Sequence, residues 1–429
     1  LYIIGNKKVF NKVFYLIEVD NQLNEFKSKK FDDAFIEIIP FNNNIHPVLN
    51  KISLIYIHPL NEHKGYIISI DHSEALKINF NNIKPILESF NKIYVRDKKE
   101  FLHFFILKNL YDLTLNENYN PVLTKTHNFF YNKFSNKKDI NRIIPISKHY
   151  EYCEKIFNDL KDKINEPINQ FFNNKVSLVF NAIERVGLRI QPELFQSKFH
   201  DIDGEFTYSQ YNFKTTTTRP SNKFNGINYA ALNKQDNTRE IFIPRNDKLV
   251  EIDIRAYHPT LLSKMIGYSF LSADIHQEFA NMYGVDYNKA KEITFQQLYG
   301  GIFPQYKNLE FFKKVQEFTD KIWDEYNTLG EINVPISNYC FKKDKLKNMN
   351  PPKLLNYILQ ALETANNTNI LWDMFKILKG KNTKLILYTF DSFLFDLDKS
   401  EKQEFKQILG IFDKYNLHTK IAYGDNYNF

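Results

Sequence analysis

Cysteine is scarce. Cys153 and Cys340 are the only two in 429 residues, too few for a thiolate metal site or a disulfide framework, so both are expected to be buried or reduced thiols. Long apolar runs are missing as well. No stretch approaches the roughly 20 residues that span a bilayer, and a mean hydropathy of -0.45 excludes an integral membrane protein. Residues 1–5 run directly into charged and polar ones, so no cleavable signal is expected and the chain reads as intracellular, with no membrane partner. There is no internal repeat and no long low-complexity tract.

Neither sign of charge dominates. Lys and Arg number 57 against 50 Asp and Glu, a net charge of +7. That excess suits a polyanionic partner, because each cation set on a phosphate releases condensed counterions. It describes a mixed surface, though, and not a polybasic arm. What the chain has in plenty is apolar and aromatic side chain, 43% and 16%, enough for substantial cores. Its length exceeds one ordinary core and predicts two or three domains. An abundance of Asn, Lys, Ile and Phe fits A/T-rich coding and carries no chemistry.

Residues 1–141 alternate β-rich runs at 52–58 and 65–70 with a helical stretch at 98–110, an α/β signature. Polar residues around 132–142 mark the first boundary, after which a charged helix is predicted to start near Ser147. Helical spacing continues from 151 to 184, broken at Pro167, until Gly187 stops it. Residues 208–246 are loop-rich and basic. A strand at 249–254 then runs into a helix at 259–266, helices dominate 274–378, strands at 384–389 and 393–397 enclose Asp391, and a helix covers 402–415.

Three segments carry chemistry. In the first, Asp253 ends a hydrophobic strand just before a helix, where it is either a helix cap or a carboxylate facing a cleft. In the second, Asp391-Ser392 occupies the turn of a hairpin, where Asp and Ser are common in any case. The third decides between the readings. Lys291, Phe295 and Tyr299 recur every four residues and are followed by two glycines, so a helix presents one cation and two rings along a stripe. A cation for phosphates and rings for stacking a base make a nucleotide-binding face, whereas a lysine sits poorly in a core stripe.

On these residues the chain resembles the family A DNA polymerases. Motif A of that family opens on a strand Asp, matched by Asp253. Motif B is a Lys-x3-Phe-x3-Tyr-Gly helix, matched by Lys291, Phe295, Tyr299 and Gly300, and motif C is a hairpin aspartate, matched by Asp391. Lesser matches fall in the same order: residues 184–188 before the thumb, 217–221 with Arg219 as the loop that meets primer–template, and Asp274-Ile275-His276 as the element whose His reaches the triphosphate. Asn356 and Gln360 match the Asn-x3-Gln along the duplex minor groove, and residues 424–427 match the family's terminal Gly-x-Asn-Trp.

The resemblance implies an α+β right-hand polymerase: a palm with an antiparallel sheet (about 206–270 and 350–429), helical fingers (about 271–349) and a reduced thumb (about 146–205). Residues 1–145 would be an α/β domain of the 3′–5′ exonuclease kind. It implies DNA-directed DNA synthesis, with Asp253 and Asp391 holding two Mg²⁺ ions, for which Mn²⁺ may substitute. Lys291 and His276 would hold phosphates, with Lys291 as proton donor to pyrophosphate, and Phe295 and Tyr299 would wall base and sugar. Arg219, Asn356 and Gln360 would contact DNA. The implied partners are primer–template DNA, dNTPs and a processivity or other replication factor, with the chain itself a monomer of phage-like compactness.

Departures from the family pattern carry their own expectations. His258 stands where motif A normally has the Glu that blocks a ribose 2′-OH, so it is the substitute sugar gate. Tyr287 stands where motif B has an Arg, which leaves triphosphate charge to Lys291, His276 or a relocated base such as Lys289. Ser392 replaces the second acid of motif C. The short stretch between Gly187 and Thr217 predicts weak grip on duplex. No Asp-x-Glu occurs before residue 141, so the exonuclease-like domain is expected to be catalytically dead. Two alternatives stay open: a single-subunit RNA polymerase, which shares the palm and favours Asp-Ser in motif C, and a binding protein of polymerase shape without catalysis.

Overall fold

A computed structural model describes residues 5–9, 12–116, 139–199, 204–222 and 226–429. The chain folds as two compact units, Leu1–Asn181 and Ala182–Phe429. No helix among the described residues is long and apolar enough to cross a membrane.

The first unit is built on a seven-stranded sheet. Its strands are β1 (Gly5–Val9), β2 (Lys12–Ile17), β3 (Asp33–Pro40), β4 (Ile52–Pro59), β5 (Tyr66–Ser69), β6 (Lys92–Val95) and β7 (Leu110–Asp112), in the order β1-β2-β5-β4-β3-β6-β7. The β3, β4 and β5 pairs are antiparallel, while β6 lies parallel to β3 and β7 parallel to β6. β4 is buried along its whole length, as the apolar run at 54–57 requires of a central strand covered on both faces. One face packs Ile36, Ile55 and Ile57 against Leu23 and Phe26 of α1 (Asp20–Ser28).

The other face packs Phe35, Leu54 and Tyr56 against Tyr150, Cys153 and Phe157 of α2 (Ile146–Leu160). This is the helix predicted to open the second domain. Its stripe of Ile146, Tyr150, Cys153, Phe157 and Leu160 is instead the cover of the first unit's sheet, and the division between units falls further along, inside the helix Ser177–Glu184. The helix predicted over 98–110 is also shorter than expected. It spans only Lys98–Phe101, because Phe101, Leu102 and Phe105 turn together into the core and Leu110–Asp112 is drawn into the sheet beside β6.

In the second unit, Gly187 takes a φ of +73°, and a Cβ there would come within 2.8 Å of the Tyr208 ring. The helix therefore ends where the sequence predicts. The unit centres on a four-stranded antiparallel sheet of β8 (Lys248–Ile254), β11 (Lys384–Thr389), β12 (Ser392–Leu397) and β13 (Thr419–Gly424), ordered β11-β12-β8-β13. Between β8 and β11 come α3 (Tyr257–Met265), α4 (Ile275–Tyr283), α5 (Tyr287–Gly300), α6 (Glu310–Leu329), a hairpin of β9 (Glu331–Val334) and β10 (Tyr339–Lys342), and the 28-residue α7 (Pro351–Leu378); α8 (Lys402–Lys414) follows β12. The sequence reading gave this stretch to helices and passed over the hairpin, although Gly330 caps α6 in a left-handed conformation and Glu-Ile-Asn-Val alternates as a strand does. α7 is buried on most sides: Leu354, Ile358, Ala365, Ile370 and Met374 line its interior, with only Lys353, Asn356, Tyr357 and Gln360 forming a half-exposed stripe near its start.

Candidate active site

The sheet brings the two aspartates together. β8 pairs with β12 in a register that sets Asp253 opposite Ser392, and the Ile254 amide donates to the Asp391 carbonyl at 2.9 Å. Helix capping is excluded for Asp253, because the cap position of α3 belongs to Ala256, which makes no side-chain cap bond. Burial, then Asp391, then Glu251 push the Asp253 carboxyl up to about 6, while Lys291 and Lys420 oppose the shift. Asp391 moves the same way, from burial first and Glu363 second, with Arg219 and His258 opposing. Two half-buried carboxyls, each raised by burial and by a neighbouring acid, form a site where negative charge outweighs the cations around it.

Both acids sit beside strained backbone. Phe390, which with Asp391 makes the two-residue turn, has φ +57°, and Ala256, shortly after Asp253, has φ +46°. Such a conformation costs a non-glycine residue about 1–2 kcal/mol. Surrounding groups over-determine it at Phe390: the Arg219 guanidinium lies 3.9 Å from the ring centroid, and the Asn367 side-chain amide donates to the Phe390 carbonyl at 2.7 Å. Asn367 also donates to the Tyr388 hydroxyl and accepts from that of Tyr257. One buried asparagine of α7 thus ties the turn at Asp391 to the helix that follows Asp253.

Next to the acids, α5 turns Ala290, Ile293, Thr294, Gln297 and Leu298 inward. Lys291 and Tyr299 are exposed and Phe295 is half-buried. The core reading of the two aromatics is therefore set aside: their rings stack at 5.8 Å between centroids, 17° from parallel, on the accessible face. Lys291 forms no ion pair among the described residues. It acts electrostatically on both Asp253 and His276.

His276 follows Asp274, which caps α4 by accepting from the Gln277 amide at 3.1 Å. Its imidazole is 5% exposed, its Nδ1 has no partner, and its ring stands 6.0 Å from Phe295 and 5.8 Å from Tyr287. Burial first and Lys291 second hold its pKa below the ordinary value, so at neutral pH it is an uncharged hydrogen-bonding group. Lys289 faces another way, paired with Glu292 at 2.9 Å on the outer surface.

His258 is buried beneath Tyr299. Its Nδ1 lies 2.7 Å from the Tyr299 hydroxyl and its Nε2 2.6 Å from Glu363. Glu363, 1% exposed on α7, also accepts from Arg219 Nε at 3.2 Å and Nη2 at 3.3 Å. The Arg219 loop is pinned a second time, where the Thr217 hydroxyl donates to Gln360 Oε1 at 2.9 Å; Gln360 in turn donates to Asn356 at 3.0 Å. Arg219, Asn356 and Gln360 therefore line one connected strip.

All ten residues singled out in the sequence lie in the second unit, and the contacts above join them into one region. Three further groups were missed. Glu363 lies in a helix of mixed composition and has no local signal. Glu251 stands two residues before Asp253 on the same strand face, where it accepts from Ser392 at 2.7 Å and from the Tyr427 hydroxyl at 2.9 Å; the i, i+2 spacing of the two acids was the available clue. Arg255 is exposed, forms no ion pair among the described residues, and acts on Tyr287 across the site.

No protein-family model matches the chain, and no curated protein matches it. Among solved structures it is similar to the polymerase domain of Pol1 from M. smegmatis, in complex with DNA primer-template and dNTP. That similarity covers 96% of this chain and 99% of that one, with a TM-score of 0.65 at 10% identity. The chain has the fold of a DNA polymerase domain.

Proposed function

We propose that this chain is a template-directed DNA polymerase of the family A kind, which extends a primer 3′-OH with deoxynucleotides. One observation carries the reading. Two carboxylates from distant parts of the sequence meet on adjacent strands, each raised in pKa, within electrostatic reach of an exposed stripe of one lysine and two stacked rings.

The donor set fits hard divalent cations, since both acids offer oxygen ligands and both are pushed up by burial and neighbouring acids despite the cations near them. Asp253 and Asp391 would hold Mg²⁺, or Mn²⁺ in its place, and when bound the ions supply charge neutralisation and Lewis acidity to phosphoryl transfer. The chain's own residues do the positioning. Lys291 meets the triphosphate and is placed to give a proton to the departing pyrophosphate. His276 would meet a phosphate oxygen as an uncharged donor, and Arg255 adds a second exposed cation near Tyr287, which stands where motif B has an Arg. Phe295 and Tyr299 wall base and sugar, with His258 behind them as the sugar gate. Arg219, Asn356 and Gln360 lie along primer–template and act on backbone and minor groove without reading sequence.

The same reading gives the first unit no exonuclease activity. What supports this is the treatment of its acids: on β3, Glu37 is 6% exposed and tied to Arg96 at 2.8 Å, and Asp112 accepts from the Lys98 amide and from Thr114. A reduced thumb is supported by the region between Gly187 and Thr217, where Pro192–Lys198 is the one helix among the described residues, and low processivity without a partner factor follows.

Primer extension on one primed template, with dNTPs or rNTPs and with or without Mg²⁺, tests the proposal. Metal-dependent extension by dNTPs is expected. Extension by rNTPs alone would transfer the chain to the RNA polymerases, and no extension at all would leave a binding protein of polymerase shape.

A further inference from the structure

Motif A here has an imidazole where a carboxylate would contact the sugar-facing tyrosine, yet a carboxylate is present one layer further in. Glu363 reaches His258 from α7, and His258 reaches Tyr299. We propose that Glu363 is the positioning residue of sugar selection, acting on the incoming nucleotide through His258 and Tyr299 while it holds Arg219 on the primer side; this rests on the polymerase reading above.

The hydrogen-bond bookkeeping is closed. A carboxylate can only accept, so Nε2 of His258 must carry the proton it gives to Oε2 of Glu363 at 2.6 Å. Arg219 covers both carboxylate oxygens at 3.2 and 3.3 Å, which already neutralises the acid. With Nε2 held by Glu363, the other ring nitrogen, Nδ1, is hydrogen-bonded to the Tyr299 hydroxyl at 2.7 Å. Tyr299 is thereby held by its oxygen at one end of the Phe295–Tyr299 stack, at 37% exposure, with the rest of its edge open to a ligand.

Rotation of Tyr299 would open space beside the sugar. Its hydroxyl is fixed by a chain that ends in a buried, doubly satisfied carboxylate, so that rotation costs a hydrogen bond to a buried nitrogen. The same carboxylate orients the guanidinium stacked on Phe390, the residue before Asp391. One acid of α7 therefore serves both sides of the forming bond, the sugar edge of the incoming nucleotide and the loop at the primer end.

Single-nucleotide incorporation with matched dNTP and rNTP tests this in the full chain. E363Q is expected to lower the dNTP-to-rNTP ratio of kcat/KM about tenfold. In an H258A background the same substitution is expected to leave that ratio where H258A alone puts it. Y299F, which removes only the hydroxyl and keeps the buried pair intact, is expected to lower the ratio as well, and it carries the test should E363Q fail to fold by thermal melting. A folded E363Q or Y299F whose ratio stays within about twofold of the parent overturns the inference, as does an E363Q effect undiminished in H258A. If the parent chain does not extend primers, it is the polymerase reading that fails.

Discussion

Asp253 faces Ser392 directly across the antiparallel pair, which puts Asp391 one residue from the partner of the other acid. Replacing either acid by asparagine should abolish primer extension while leaving primer–template affinity nearly unchanged, measured by gel extension and by fluorescence anisotropy. Retained extension in Asp391→Asn would remove that residue from the site. Stability should move in the opposite direction. The Asp253 pKa in the fold, about 6, lies above its ordinary 3.8, so the folded state resists ionisation. The penalty is absent below pH 3.8, grows between 3.8 and 6, and is complete above 6. Asp253→Asn should therefore stabilise the metal-free protein at pH 8 by roughly 1–2 kcal/mol, allowing for the partial solvent exposure of the group. The two melting curves should converge near pH 4.

Lys291, proposed to meet the triphosphate, forms no ion pair among the described residues. A charge-assisted contact to a phosphate contributes about 1.5–3 kcal/mol. Lys291→Ala should then lower kcat/KM for dNTP about 10- to 100-fold, with little effect on thermal stability because the side chain is exposed. Incorporation kinetics within twofold of the parent would exclude it as a triphosphate ligand.

Much of the second unit was legible in the sequence because its signals are local. The strand that ends at Asp253, the hairpin around Asp391 and the four-residue spacing on α5 each follow from periodicity over short windows, and their observed limits agree closely with the predicted ones. What escaped notice was set by tertiary contact. Nothing near Glu363 says that a buried acid of α7 will meet Arg219 and His258, because those partners come from elsewhere in the chain. The placement of α2 was unreadable for the same reason: an amphipathic stripe announces that it will be covered but not by which sheet.

Acid should weaken the first unit through its buried histidines. His149 is fully buried, donates from Nε2 to the Asn141 carbonyl at 2.8 Å, and is pushed down to about 4, chiefly by burial. His72, 6.0 Å away ring to ring, is lowered for the same reason. A histidine with a depressed pKa is neutral in the fold and charges more readily when unfolded. Its contribution is therefore intact above pH 6.5 and lost progressively as pH falls from 6.5 to about 4. For His149 that amounts to roughly 3 kcal/mol. His149→Gln should flatten the pH dependence of urea unfolding over that interval; an unchanged slope would show that other groups govern it.

Glu37 and Arg96 bear on the proposal that the first unit has no exonuclease activity. Burial raises the Glu37 carboxyl, with the nearby guanidinium opposing. Single-stranded DNA incubated with the chain and Mg²⁺ or Mn²⁺ should remain intact, and metal-dependent digestion that disappears with the first unit would refute the assignment. Arg96→Ala, which strands a buried acid, should destabilise the first unit by roughly 3–5 kcal/mol without altering primer extension by the folded protein.

The left-handed turns at Ala256 and Phe390 mean that the acids are aimed by main-chain shape more than by the identity of the side chains around them. At Phe390 a guanidinium on the ring and an amide on the carbonyl pin the bend, so loss of either would spoil the aim of Asp391 while leaving the acid itself untouched.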